Sequence, residues 1–342
     1  MIAGRDFSFQ VEQSVVGWRQ PNMSFRKVIA GLCVLASFVA ARADESFAER
    51  LGWKADEVVV VIHCNDGGVT QGSSRGIQYS LTKGIPSSFS IAMPCPWVPL
   101  FIKGIPAQST DVGVEVTLTS EFDLMRWGPL AGKPTVPGLV DPEGCLWKVP
   151  AQVVAKATPD EVEKEIRAQI ERALGFGLKP THLDTHDGVI YLKPEFFDRY
   201  IKVALEKGIS PVIAGGHMTI LGEERKNLVP LMRSHSVDVW NAGFPVVDDI
   251  HSTVEAWGVG EKKPKLEALL HNLKPGITHI IFHPAVPNEE LRALVPNANS
   301  RLQDQMVLTD MSIRHVIENR KIVVTDWREL KERRKKAAPI AK

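Results

Sequence analysis

The composition of the chain is that of a folded globular protein. Its 342 residues are 44% hydrophobic and 24% charged, which excludes a disordered or fibrous chain. The 41 lysines and arginines nearly balance the 40 acidic residues, and a net charge of +1 provides no field to hold a polyanion, so we expect no nucleic-acid partner.

The N-terminus has the pattern of an export signal. Arg26 and Lys27 precede an apolar run at residues 28–40, and Ala41 and Ala43 then form a small-residue cleavage site. The run is shorter than the roughly 20 residues that cross a bilayer, so we expect no stable membrane insertion. The alternative interpretation of this run is a buried first helix.

Residues 23–43 are therefore predicted to be a signal peptide that is cleaved near Ala43. Export to the periplasm or the medium would then leave a mature chain that begins at Asp44. Residues 1–22 lie upstream of a candidate initiator, Met23, and we interpret them as an extension from a start codon assigned too early.

From residue 56 onward, short β-branched runs alternate with longer amphipathic segments. Residues 58–62 are a continuous apolar run, as expected for a strand that is covered on both faces. Thr158, Pro159 and Glu161 form a capping box that predicts a helix over residues 159–174. The later predicted elements are a strand with its loop at 182–191, a helix at 194–207, a strand at 209–213, a helix at 265–273, a strand at 277–282, a helix at 310–318, a strand at 322–325 and a helix from Trp327.

This alternation favours a parallel sheet covered by helices, and we predict a single α/β domain over residues 44–330 that forms an irregular (β/α) barrel. In such barrels the functional side chains lie at the C-terminal ends of the strands. Residues 331–342 include a run of basic side chains at 333–336 and are expected to be a solvated, frayed basic tail.

Polar side chains follow or interrupt two of the early strands. Asn65 and Asp66 come directly after the first apolar run, and Gly67 and Gly68 then allow a sharp turn. Glu115 lies inside a second β-branched run. Asp66 has an alternative interpretation as an ordinary turn residue, and Glu115 as a solvent-facing residue of an edge strand.

A third strand carries His182, Asp184 and His186, whose alternation places them on one strand face. Three ionisable side chains on one face are costly to bury without a partner. A divalent metal is an economical partner, because carboxylate and imidazole suit Zn, Mn or Mg, and such an ion activates water. His283 ends another predicted strand and is a candidate general acid, with a purely structural histidine as the alternative.

Several short motifs occur along the chain in a fixed order. They are HCNDGG at 63–68, GVEVTLTSEF at 113–122, RWGPL at 126–130, THLDTHDG at 181–188, IIFHPA at 280–285, LTD at 308–310 and TDWREL at 325–330. In this order they resemble the YdjC-like carbohydrate deacetylases, also called the ChbG/HpnK family. The resemblance covers about residues 56–330.

The resemblance implies an irregular (β/α) barrel of the polysaccharide-deacetylase type. It also implies hydrolysis of N-acetyl groups on amino sugars, such as chitooligosaccharides, with the help of a divalent metal that is often described as magnesium or zinc. Carried over by position, Asp66 and His186 are implied metal ligands, and His283 is implied to act in the active site.

Two positions depart from the family pattern. Asn65 stands where the family has an aspartate usually assigned as the base, and Glu115 stands where the family has a histidine ligand. An amide cannot accept a proton at neutral pH, whereas a glutamate can ligate a metal or act as a base. These departures put the identity of the base in question.

We expect Asp66, Glu115 and His186 to form a metal site with two carboxylates and one imidazole. Such a set favours Mg, with Zn or Mn as alternatives. The base lost at position 65 would have to be replaced by Asp184, Asp187 or Glu115.

The function that this pattern favours is that of a secreted, metal-dependent carbohydrate deacetylase acting on amino-sugar oligosaccharides, with His283 protonating the leaving amine. The alternative is a non-catalytic relative that keeps the barrel as a glycan-binding or scaffolding protein. A hydrolase acting on another substrate, and a homodimer, are left open.

Overall fold

The strand Val58–Gly67 (β1) lies at the centre of the sheet in the computed structural model, which describes residues 45–109 and 111–340. All ten residues of β1 are buried, as expected for a strand covered on both faces. The other strands of the described chain are Ser88–Ile91 (β2), Val112–Val116 (β3), His182–Thr185 (β4), Ser210–Pro211 (β5), Asp249–His251 (β6), Gly276–Phe282 (β7) and Val323–Val324 (β8).

The sheet is parallel, with the strand order β5-β4-β3-β2-β1-β7-β6. The short strand β8 pairs with Val59 and Val60 at the beginning of β1. An isolated parallel bridge joins Ala214, just after β5, to Val247, just before β6, so the two edges of the sheet meet. The sheet therefore curls into the irregular (β/α) barrel that the sequence predicts.

Helices connect the strands, and several match their predicted bounds closely. The helix Pro159–Gly175 begins at Thr158, whose hydroxyl accepts a hydrogen bond from the Glu161 backbone N–H in the predicted capping box. In chain order the described helices are Phe47–Arg50 (α1), Gln71–Lys83 (α2), Val98–Lys103 (α3), Pro150–Lys156 (α4), Pro159–Gly175 (α5), Pro194–Lys207 (α6), Thr219–Glu224 (α7), Val229–Asn241 (α8), Lys262–Asn272 (α9), Glu289–Leu294 (α10), Ala298–Leu308 (α11), Met311–Asn319 (α12) and Trp327–Arg334 (α13).

Two predicted strands are shorter in the structure than the sequence predicts. The run at 209–213 pairs as a strand only at Ser210–Pro211, and the run at 322–325 only at Val323–Val324. Their apolar residues are suited to a strand, but Pro211 has no N–H to donate to a ladder. Local composition therefore overestimates the length of these two strands.

The expectation of a frayed tail at residues 331–342 is wrong for the part that the structure describes. The Arg334 guanidinium is buried and lies 4.2 Å from the centroid of the Trp240 ring. Asn241 donates through Nδ2 to the Ile340 carbonyl at 3.0 Å and accepts from the Ile340 N–H at 2.8 Å. The basic segment packs on α8 because a planar guanidinium stacks well on an aromatic face.

The predicted upstream extension at residues 1–22 and the predicted signal peptide at 23–43 lie outside the described residues. None of the described helices is both long enough and apolar enough to cross a membrane. The cysteines of the described chain, Cys64, Cys95 and Cys145, are free thiols.

One buried carboxylate ties α1 to the N-terminal ends of the strands. Asp248 accepts hydrogen bonds from the backbone N–H groups of Phe47 and Ala48, at 2.7 and 3.0 Å. It accepts a third from the Ile277 N–H at 2.8 Å, and its own side chain is fully buried. The first helix and β7 therefore share one acceptor.

Asp248→Ala should lower the free energy of unfolding by about 3 kcal/mol or more, because three buried N–H groups lose their acceptor at roughly 1–3 kcal/mol each. Asp56→Ala removes an exposed carboxylate and is the matched control, with an expected change below about 0.5 kcal/mol. Urea denaturation measures both variants. Equal stabilities of the two would contradict this account of α1.

Candidate active site

A cavity of about 580 Å³ opens at the C-terminal ends of the strands, where a parallel barrel is expected to carry its functional side chains. Nearly every side chain that the sequence predicts for a site contributes to its wall, but His182 does not. The contributing residues are Asn65, Asp66, Glu115, Asp184, His186, Asp187 and His283.

The end of β1 is irregular and directs Asp66 towards the other acidic residues. The pairing of β1 with β2 shifts register between Cys64 and Gly67, and Asp66 has a left-handed backbone with φ +71°. Such a conformation is costly for a residue other than glycine and is typical of functional sites. The Asp66 N–H donates to Glu115 Oε2 at 2.7 Å. Gly68, with φ +85°, makes the predicted sharp turn.

Asp66, Glu115 and His186 form a buried group at the inner end of the cavity. His186 Nδ1 lies 2.9 Å from Glu115 Oε1 and 3.3 Å from Asp66 Oδ1. One ligand atom from each of the three residues lies within 4.8 Å of the others. The structure thus brings together the three residues that the sequence predicts as metal ligands.

Arg301 is a member of this site that the sequence does not indicate. Its Nη1 donates to Asp66 Oδ2, and its Nη2 lies 3.4 Å from Glu255 Oε1. Burial raises the pKa of Asp66, but Arg301, His186 and His283 together outweigh burial and hold that pKa well below its ordinary value. Burial and the neighbouring Asp66 carboxylate raise the pKa of Glu115.

Both ring nitrogens of His186 face carboxylates. Nδ1 faces Glu115, and Nε2 lies 3.2 Å from Glu121 Oε1 and 3.9 Å from Asp187 Oδ2. Burial lowers the pKa of His186, yet the surrounding carboxylates, Asp187 and Glu121 foremost, raise it well above its ordinary value. The site therefore has an excess of negative charge that attracts a proton or another cation.

The residues present fit a divalent cation. Within residues 45–109 and 111–340, Asp66 Oδ1 is buried without a hydrogen-bond partner, while Arg301 occupies only Oδ2. Two carboxylates and one imidazole are a donor set that Mg, Mn and Zn accept. Because the imidazole of His186 must be neutral to ligate, binding would release a proton.

The three residues predicted as replacement bases lie in different environments. Asp184 faces the barrel interior, with Oδ2 3.3 Å from His63 Nε2. Glu115 is fully buried and is held by His186 and by the Asp66 N–H. Asp187 accepts a bond from Thr119 at 2.9 Å, and its side chain is 35% exposed towards the cavity.

His283 reaches the cavity from the end of β7. Its backbone N–H donates to Asp304 Oδ2 at 3.0 Å, and the buried Lys262 neutralises that carboxylate. Its ring Nδ1 has no hydrogen-bond partner in the described part of the chain and lies 3.9 Å from Glu255 Oε2. The ring is therefore free to exchange a proton with a ligand.

Sequence reasoning missed Glu121, Glu255 and Arg301. Glu121 lies within one of the quoted motifs, but nothing in the spacing marked it as a partner of His186. Arg301 comes from the first turn of α11, where no strand end signals a site. His182, which the sequence places on one strand face with Asp184 and His186, instead stacks on Trp327, with ring centroids 5.6 Å apart.

The chain is similar to known carbohydrate deacetylases. A carbohydrate deacetylase of Thermus thermophilus is 28% identical over 285 residues, covering 83% of this chain and 97% of that protein. A carbohydrate deacetylase of Thermoanaerobacter pseudethanolicus is 26% identical over 272 residues, covering 80% and 99%.

A solved structure shows the same fold. It is a protein of Enterococcus faecalis V583, described as a candidate cellobiose-phosphate cleavage protein, with a TM-score of 0.67 and 21% sequence identity, covering 80% of this chain and 99% of that one. A family model described as YdjC-like protein matches residues 59–319, which is more than half of the chain. The chain therefore belongs to the YdjC-like family, as its motifs predict.

Proposed function

We propose that the protein is a metal-dependent carbohydrate deacetylase, which hydrolyses N-acetyl or similar acyl groups on amino sugars. The observation that carries this proposal is the convergence of Asp66, Glu115 and His186 within 4.8 Å of one another. The relatives named carbohydrate deacetylase support the reaction class. A cavity of about 580 Å³ is of the size that proteins use for small ligands.

A divalent cation bound by these three residues would polarise the acyl carbonyl and make water acidic enough to act as a nucleophile. We propose magnesium first, because two of the three ligands are carboxylates, with zinc or manganese as alternatives. Glu121 accepts the Nε2 proton of His186, which leaves Nδ1 facing Asp66 and Glu115.

The protein supplies proton transfer from two sides of the cavity. Asn65 cannot accept a proton, and its Oδ1 already accepts a hydrogen bond from Ser90 at 3.2 Å. Of the predicted bases, Asp187 has the carboxylate most open to the cavity, and we assign it that role. His283, whose ring nitrogen is unpartnered, donates the proton to the leaving amine.

The wild-type protein supplied with Mg, Mn or Zn should release acetate from acetylated amino sugars. His186→Ala should abolish turnover and metal binding by Asp66, Glu115 and His186, whereas His235→Ala, in a surface pair with Asp198, should leave both unchanged. Asn65→Asp should raise turnover or leave it unchanged, because a second base is typically worth up to ~10²–10⁴-fold. Enzymatic acetate detection measures all four proteins.

A different result would favour the non-catalytic alternative. The wild type would then release no acetate with any of the three metals, while the double variant Asn65→Asp/Glu115→His would. Metal content, measured in parallel, separates loss of the ion from loss of the base.

We further propose that the protein is exported after cleavage near Ala43. The cationic stretch, the apolar run and the small-residue site support this proposal. N-terminal sequencing of the protein from its native host should give Asp44 as the first residue. Recovery of the chain with residues 1–22 attached would contradict it.

A further inference from the structure

A second group of metal-ligating side chains lies inside the barrel, apart from the group at the inner end of the cavity. His63 from β1, Asp184 from β4 and His279 from β7 are all buried, and one ligand atom from each lies within 4.8 Å of the others. His63 Nε2 is 3.3 Å from Asp184 Oδ2, and the His63 and His279 ring centroids are 4.9 Å apart.

Polar atoms of this group have no hydrogen-bond partner. Among the described residues, both ring nitrogens of His279 and Oδ2 of Asp184 are buried without a hydrogen-bond partner, and Oδ2 has only the 3.3 Å ion-pair contact with His63. An unsatisfied buried polar atom costs roughly 1–3 kcal/mol, so several in contact indicate a missing ligand. A neutral His279 ring keeps one free lone pair that can bind a cation.

The neighbours of His63 also allow its Nε2 to bind a cation. Nδ1 lies 2.9 Å from Ser88 Oγ, which can accept its proton. Ser90 Oγ lies 3.2 Å from Nε2 and 3.2 Å from Asn65 Oδ1. When Ser88 accepts the Nδ1 proton, the lone pair of Nε2 faces Asp184 and can bind a cation. A hydrogen bond at the other ring nitrogen is the usual way in which proteins orient a metal-binding histidine.

The buried negative charge of Asp184 also favours the binding of a cation. Within the part of the chain that the structure describes, its ion-pair partner is His63, and no lysine or arginine pairs with it. A buried carboxylate without a full positive partner is strongly disfavoured. Asp184 also lines the cavity, which would give an ion an approach to this position.

We propose that His63, Asp184 and His279 form a second cation site, which binds Zn²⁺ in the barrel interior. Two imidazoles and one carboxylate are a set that zinc prefers. The set formed by Asp66, Glu115 and His186 is richer in oxygen. Because the three ligands come from three strands, the ion would join β1, β4 and β7. The proposal does not depend on the proposed deacetylase reaction.

Zinc content after removal of free metal tests the proposal directly. The wild type saturated with zinc should hold two equivalents, and His186→Ala should hold one. His279→Leu should also lose one equivalent. Zinc bound to His63, Asp184 and His279 should raise the melting temperature of the wild type, and this part of the rise should be lost in His279→Leu. His182→Leu is the matched control, because His182 is a buried barrel histidine outside the group, and it should keep two equivalents.

Cobalt provides a measurement that does not depend on the folding of His279→Leu. The His186→Ala protein loaded with Co²⁺ should show the visible absorption of a nitrogen- and oxygen-ligated ion. The proposal is overturned if His186→Ala binds neither zinc nor cobalt, or if a folded His279→Leu keeps two equivalents of zinc. Neither result involves acetate release, so failure here is distinct from failure of the proposed function.

Discussion

The burial of acidic side chains inside the barrel is the constraint on which the site depends. Asp66, Glu115 and Asp184 are each removed from water, and a buried carboxylate is stable only beside positive charge or several donors. Arg301 supplies that charge to Asp66, and imidazoles face the other two. The charges are thus paired, but some carboxylate oxygens of the described chain, such as Asp66 Oδ1, remain free. These oxygens can bind a cation.

Parallel strands explain why these side chains meet. Glu115 and Asp184 are direct neighbours in the pairing of β3 with β4, and the irregular end of β1 turns Asp66 towards them. Inward positions along one strand lie at successive depths of the barrel. His182 and His186 therefore share a face of the strand but belong to different layers, one against Trp327 and one in the cavity.

The sequence predicted the site residues that lie at strand ends, but it did not predict those that helix packing brings to the site. The apolar runs located the barrel, and their C-terminal ends located Asp66 and His186, because parallel strands end at one edge. Arg301 was not predictable, since only the packing of α11 brings it to Asp66. Similarly, the charge run near Arg334 suggested a solvated tail, because its stacking on Trp240 is a tertiary contact.

The central claim is that Asp66, Glu115 and His186 hold one divalent cation. The most direct test is anomalous X-ray scattering from crystals of the protein soaked in Mn²⁺. We predict an anomalous peak among Asp66 Oδ1, Glu115 Oε1 and His186 Nδ1, at roughly 2.0–2.2 Å from each. Saturated crystals with no peak at that position, and the three side chains bonded only to one another and to Arg301, would contradict the account.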